Sequence, residues 1–204
     1  MSTILSSLRN TIISGLVLAL LLLLTFSTWG VVDASSFSDQ AFYSFVFRWL
    51  HVLSATMWIG LLWYFNFVQI PNMPNIPDDQ KPAISKVIAP VALWWFRWAA
   101  MATVATGLIL GYLNGYLESS MTLGFRGDGT PQHIAIGIGM WLGIIMFFNV
   151  WFVIWPNQKR ALGIVSVAAD VKAASARTAM LFSRTNTLLS IPMLFSMVAA
   201  QNIF

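Results

Sequence analysis

Five long apolar segments occupy most of this 204-residue chain and limit what it can fold into. A helix needs about 20 mostly apolar residues to cross the hydrocarbon core of a bilayer, and each segment reaches that length. The segments lack the alternation of polar and apolar residues that strands of a membrane barrel show. The sequence therefore predicts an all-α integral membrane protein with about five transmembrane helices, at approximately 12–33, 42–69, 88–116, 132–156 and 176–200.

The scarcity of charged residues also indicates that lipid surrounds this chain. Charged residues make up 9% of the chain and hydrophobic residues 58%, whereas a soluble domain carries roughly 25% charged residues. We therefore expect a single helical membrane domain over 1–204 with the lipid bilayer as its surroundings. The first segment follows Arg9 as a signal peptide would, but its length favours a retained span.

The lysines and arginines lie mainly on one side of the predicted spans. That side carries Arg9, Lys81, Lys86, Lys159, Arg160, Lys172 and Arg177. The loops of the other side carry Asp33, Asp39, Glu118 and Asp128, with Arg126 as their one cation. By the positive-inside rule the amino terminus is cytoplasmic and the carboxyl terminus periplasmic, in a bacterial inner membrane. The net charge of +4 then reflects topology, and we expect no nucleic-acid partner.

Two of the spans share a repeated sequence. Met-Trp-Ile-Gly-Leu-Leu-Trp-Tyr-Phe-Asn at 57–66 is matched by Met-Trp-Leu-Gly-Ile-Ile-Met-Phe-Phe-Asn at 140–149, and each span ends in Pro-Asn. Such a repeat indicates two related elements of a membrane fold. We predict that helices 2 and 4 form an adjacent, parallel internal repeat.

The two histidines of the chain, His51 and His133, lie near the starts of these repeated spans. The predicted topology places both in the outer half of the bilayer. Imidazole is a good iron ligand, and two helices can supply both axial ligands of a haem b. His51 and His133 are therefore candidate metal ligands, and Arg48, one turn from His51, is a candidate partner of a haem propionate.

The same residues allow less specific interpretations. A histidine in a membrane helix often only hydrogen-bonds a neighbouring helix, and the spacing from histidine to the repeated asparagine differs by one residue, about 100° of rotation. Several other side chains could either serve a ligand or simply pack between helices: Ser54, Ala55, Trp58, Asn66, Gly137, Gly139, Trp141 and Asn149. The absence of cysteine excludes disulfides, thiolate ligands and covalently attached c-type haem.

Longer motifs resemble a known family. The stretch from Arg48 to Gly60 with 64–67, the stretch 133–137 with 149–160, and the stretch 192–197 are similar to motifs of the membrane-bound urate oxidase amino-terminal domain, also described as the bacterial urate hydroxylase membrane domain. The resemblance runs from Arg48 to the end of the chain. It implies a multi-span domain associated with urate oxidation and with electron transfer to a cytochrome c domain that often follows it.

This chain departs from the family pattern at positions where the pattern has further histidines. The tryptophan-rich run 94–99 lacks the family's histidine and glutamate, and the last helix has Thr185 and Gln201 in place of two others. His51 and His133 are retained. We therefore predict a haem b electron-transfer subunit without its own cytochrome c domain, whose partners are other membrane subunits or a periplasmic cytochrome c. The alternatives are a haem-free structural subunit of a larger membrane complex and a urate-type oxidase. No catalytic residue is assigned.

The cation distribution generates a topology prediction. A reporter enzyme fused after Phe204 should be active in the periplasm, because five spans that start in the cytoplasm end outside. Paired periplasmic and cytoplasmic reporters measure this directly. Cytoplasmic activity at that position would contradict both the span number and the shared outer side of the two histidines.

Overall fold

The computed structural model describes residues 2–30, 34–127 and 129–204. Helix accounts for most of these residues and none of them forms a strand, which confirms the all-α prediction. Asp33 and Asp128, which the topology prediction assigns to outer loops, lie outside the described residues. The chain divides into two compact units, Met1–Phe45 and Val46–Phe204, and each is described by itself.

The first unit contains a short helix α1 (Ser2–Leu5) and a longer helix α2 (Leu8–Thr28), followed by a 3₁₀ turn at Ala34–Ser38 and the start of α3 (Gln40–Asn75). Ser7 caps α2, because its hydroxyl accepts the backbone N–H of Asn10. No residue of α2 is buried, and the helix is apolar all round. A helix of this kind is suited to lipid contact.

The second unit contains the rest of α3, then α4 (Ala83–Leu113), α5 (Leu117–Met121), α6 (Pro131–Ala161) and α7 (Ala169–Asn202). Four helices, α2, α3, α4 and α6, are long and apolar enough to cross a membrane, and they correspond to the first four predicted spans. The repeated spans α3 and α6 contribute to one core, with α4 and α7, through Trp58, Leu62, Phe96, Met146, Val150 and Met193. Their equivalence as a structural repeat stays a prediction.

Buried polar residues explain why α7, the fifth predicted span, is less apolar than the others. Five of its polar residues are turned inward and buried, namely Ser175, Ser183, Asn186, Ser190 and Ser196. Its outward side exposes an apolar stripe at helical spacing, formed by Leu188, Ile191, Phe195 and Val198. Helices that associate in lipid commonly place polar side chains between them in this way. The outward face of α7 is therefore suited to lipid, while its crossing of the bilayer stays a prediction.

Proline accounts for three wide turns in the long helices. Single π-helical turns occur at Tyr64–Gln69, Ala83–Ile88 and Asn149–Ile154. Each turn ends two residues before a proline, namely Pro71, Pro90 or Pro156. Proline has no N–H and its ring clashes with the carbonyl four residues earlier, so a widened turn relieves the clash without ending the helix. The Pro-Asn that ends each repeated span therefore marks the same local distortion in α3 and α6.

The repeated asparagines connect both spans to α7. Asn66 Nδ2 donates to Ser183 Oγ at 2.8 Å, and Asn149 Nδ2 donates to Asn186 Oδ1 at 2.8 Å. Asn186 Nδ2 in turn donates to the Met146 backbone carbonyl of α6 at 2.9 Å. These contacts confirm the helix-bridging interpretation of the two asparagines.

Replacing Asn186 with alanine should destabilise the protein by about 1–2 kcal/mol, because the buried side-chain amide of Asn149 loses its acceptor and the Met146 carbonyl loses one of its donors. Thermal or SDS-induced unfolding of the purified protein measures the loss. Asn202→Ala is the matched control on the same helix, since Asn202 is exposed and its amide donates to the Val198 carbonyl of its own helix. Equal effects of the two substitutions would contradict a stabilising role of the bridge.

Candidate cofactor cavity

A partly open cavity of about 610 Å³ lies between α3, α4, α6 and α7 in the second unit. Its wall is mostly apolar, and Arg48 and His51 of α3 are among its few polar residues. Ligand sites in proteins commonly have volumes of about 300–1,000 Å³ and a mainly apolar wall with a few placed polar groups. The cavity therefore has the size and character of a site for a cofactor-sized apolar molecule.

The orientation of the His51 ring is set by α4. Its Nδ1 lies 2.9 Å from the backbone oxygen of Thr103. A carbonyl oxygen can only accept, so Nδ1 carries the proton and the neutral ring keeps its lone pair on Nε2. Metal-binding histidines typically have their second ring nitrogen held by a carbonyl or carboxylate in this manner. His51 thus has the tautomer that a metal ligand requires.

Gly107 of α4 makes room for this ring. A Cβ added at Gly107 would lie 2.9 Å from His51 Cε1 and 3.1 Å from Nδ1. Any side chain at this position would therefore push the imidazole away from α4. Gly107 therefore lets the histidine ring of α3 lie directly against α4.

Trp58 contributes an unpartnered donor to the cavity wall. The side chain is 1% exposed, and its indole N–H has no hydrogen-bond partner among the described residues. A buried donor without an acceptor is costly, and native proteins rarely leave one unless a ligand or water supplies the acceptor. The indole N–H itself is not accessible from the cavity, so a ligand contact of this donor stays a prediction.

His133 lies in the first turn of α6, as predicted. Thr130 caps the helix by accepting the backbone N–H of His133 at 3.2 Å, and Pro131 follows the cap. The His133 Nδ1 atom lies 3.2 Å from Ser119 Oγ of α5, and its ring centroid lies 5.9 Å from that of Tyr116. Tyr116 lines the cavity, whereas His133 is not among the lining residues.

The structure therefore brings His51 and Arg48 together at the cavity and places His133 beside Tyr116. Within the described part of the chain, no group of three or more histidine or acidic side chains could hold a metal ion. A two-histidine haem site would not form such a group. Ligation by His51 and His133 stays a prediction.

The remaining small and aromatic candidate residues fall into two groups, those that line the cavity and those that pack between helices. Ala55 lines the cavity. A Cβ at Gly137 would overlap the Ser120 backbone oxygen, and one at Gly139 would contact Met197 of α7 at 3.1 Å, so both glycines serve close packing. Trp141 donates its indole N–H to the Met121 carbonyl at 3.0 Å and is held by packing on α5.

Sequence reasoning missed several residues of the wall. Tyr116 and the methionines of α6 and α7 line the cavity, namely Met140, Met193 and Met197. No pattern in the sequence distinguishes these methionines from those of an ordinary helix core. Gln201, which departs from the family's histidine pattern, also lines the cavity, so the resemblance did contain a signal for that position.

Two glycine substitutions test the packing of His51. Gly107→Ala should destabilise the protein by about 1–3 kcal/mol, because the new methyl group overlaps the His51 ring. Gly60→Ala on the cavity wall should be neutral or stabilising by up to about 1 kcal/mol, because nothing lies within 4 Å of the added Cβ and alanine favours helix. Unfolding in detergent compares the two. The same sign for both variants would contradict the contact between Gly107 and His51.

Comparison with known proteins supports the resemblance in the second half of the chain. The family model described as urate oxidase N-terminal matches residues 130–202, which include all of α6 and α7. The motif that begins at Arg48 lies outside the matched segment. No curated protein and no solved structure matches the chain. The chain is therefore similar to the urate oxidase N-terminal family over residues 130–202.

Proposed function

We propose that this chain is a membrane domain related to the urate oxidase membrane domain, and that it binds haem b in the cavity and transfers electrons. One observation carries the proposal. His51 lies on the wall of a cofactor-sized cavity, and the Thr103 carbonyl holds its Nδ1–H so that the lone pair is on Nε2.

The residues of the cavity suit this cofactor. His51 is the iron ligand, and Thr103 fixes its tautomer and orientation. Arg48, which also lines the cavity, offsets the charge of a propionate. A bound haem would supply one-electron redox chemistry.

The role of His133 in haem binding differs from that of His51, because His133 does not line the cavity. To ligate the iron as well, His133 would have to reach the cavity past Tyr116, whose ring lies beside it. His51 alone would be enough to hold the haem, and His133 would add a second ligand. The electron partners are other membrane subunits or a periplasmic cytochrome c, with the domain in a bacterial inner membrane and its amino terminus in the cytoplasm.

A second candidate function has its own support. The hydrogen bonds of both histidines to neighbouring helices, at Thr103 and Ser119, are those expected of a haem-free structural subunit. The family match adds a third possibility, an oxidase that acts on urate. The three functions differ in two measurable properties, since the structural subunit carries no haem and the oxidase reduces its cofactor with urate.

The reduced-minus-oxidised visible spectrum of the protein purified from haem-replete membranes tests the proposal. The wild type should show a haem b α-band, and His51→Ala should lose it because the iron loses its ligand. Thr56→Ala should retain the band, since Thr56 lines the same cavity and its hydroxyl donates within its own helix, to the Val52 carbonyl.

Two further outcomes distinguish the alternatives. His133→Ala should convert a six-coordinate spectrum to a high-spin one if His133 is a ligand, and should leave the spectrum unchanged if His51 acts alone. Haem reduction by added urate would assign the substrate. A wild-type protein that is folded and haem-free would overturn the proposal in favour of the structural subunit.

A further inference from the structure

We propose that Arg97, Trp155 and Lys159 form a binding site for the phosphate group of an anionic phospholipid. The site lies between α4 and α6, involves none of the lining residues of the His51 cavity, and does not depend on the proposed haem function. The ligand class follows from the charges, the geometry of the guanidinium and the tryptophans around it.

The Arg97 side chain is held in place by two tryptophan rings and one hydrogen bond. Its guanidinium carbon lies 3.4 Å from the centroid of the Trp155 ring and 5.6 Å from that of Trp151. Its Nε donates to the Leu93 carbonyl of its own helix at 3.3 Å. Stacking on the indole uses the flat face of the guanidinium and leaves its terminal N–H edge for a planar or tetrahedral oxyanion. Arg97 is therefore preorganised for a phosphate.

A second cation shares the same indole. Lys159 Nζ lies 5.6 Å from the Trp155 centroid, so the two charges are at most about 9 Å apart, comparable to a Debye length at physiological salt. In the described part of the chain, no carboxylate lies within ion-pair distance of Arg97 or Lys159. The ion pair found there joins Lys81 to Asp78. Two cations held around one ring repel each other unless an anion lies nearby. The pair therefore favours an external anion.

The surrounding tryptophans identify a membrane surface. Trp94, Trp95 and Trp98 flank Arg97 on α4 and are 46–48% exposed. Tryptophan concentrates at the level of lipid head groups, where its ring lies in the apolar region and its N–H in the polar region. A phosphate at this level belongs to a lipid more readily than to a soluble molecule, because the acyl chains of a lipid can cover the exposed rings. Cations at such positions recognise anionic lipids.

Native mass spectrometry of the delipidated full chain with phosphatidylglycerol, and with phosphatidylcholine as the neutral comparison, tests the site. The wild type should bind phosphatidylglycerol more tightly than phosphatidylcholine. Arg97→Gln should weaken phosphatidylglycerol binding about tenfold, as expected for the loss of one charge-assisted contact. Arg97→Lys should bind phosphatidylglycerol with an affinity between those of the wild type and Arg97→Gln, because lysine keeps the positive charge but lacks the planar, forked guanidinium group.

Arg184→Gln is the matched control. It removes the same charge from α7, where Arg184 is exposed, and should leave phosphatidylglycerol binding unchanged. Lys159→Gln should weaken binding severalfold and replaces Arg97→Gln if that variant does not fold. Equal binding of the two lipids by the wild type, or equal effects of Arg97→Gln and Arg184→Gln, would overturn the proposal. Displacement of the lipid by millimolar inorganic phosphate would assign the site to a free anion and would overturn the assignment of a phospholipid as its ligand.

Discussion

The arrangement of the second unit depends on hydrogen bonds made between helices in an apolar solvent. Asn66 of α3 and Asn149 of α6 donate to polar residues of α7, and Trp63 of α3 donates its indole N–H to Ser190 of α7 at 3.0 Å. In lipid, apolar side chains gain little by leaving one helix surface for another, so polar contacts and close packing decide which helices associate. Helix α7 is therefore the common partner that holds both repeated spans.

The cavity follows from this arrangement. With α3 and α6 each joined to α7, the α3 face that carries Arg48 and His51 lies opposite a wall of methionines from α6 and α7. Gly107 then allows α4 to receive the imidazole, and the Thr103 carbonyl sets its tautomer. The structural bonds of the bundle and the candidate ligand thus use different residues, so a site variant can be tested without removing the bonds that hold the helices together.

Much of the fold could be predicted because it depends on local chemistry. Segment length and hydropathy were sufficient for α2, α3, α4 and α6, whose outer surfaces are apolar. Helix α7 was harder, because its serines and Asn186 face neighbouring helices and lower its mean hydropathy although its outward stripe is apolar. Mean hydropathy averages over all faces of a helix. It therefore gives the same value whether the polar face of the helix packs against other helices or is exposed to water.

The sequence by itself determined a helical membrane protein and placed Arg48 and His51 on one face of α3, because residues three apart in a helix are neighbours. Only the tertiary structure decided which helix receives each histidine: His51 contacts Thr103 of α4, and His133 contacts Ser119 of α5. The reason is rotational. The spacing from each histidine to its repeated asparagine differs by one residue, about 100° of turn, and which neighbour a side chain then meets depends on how the helices pack.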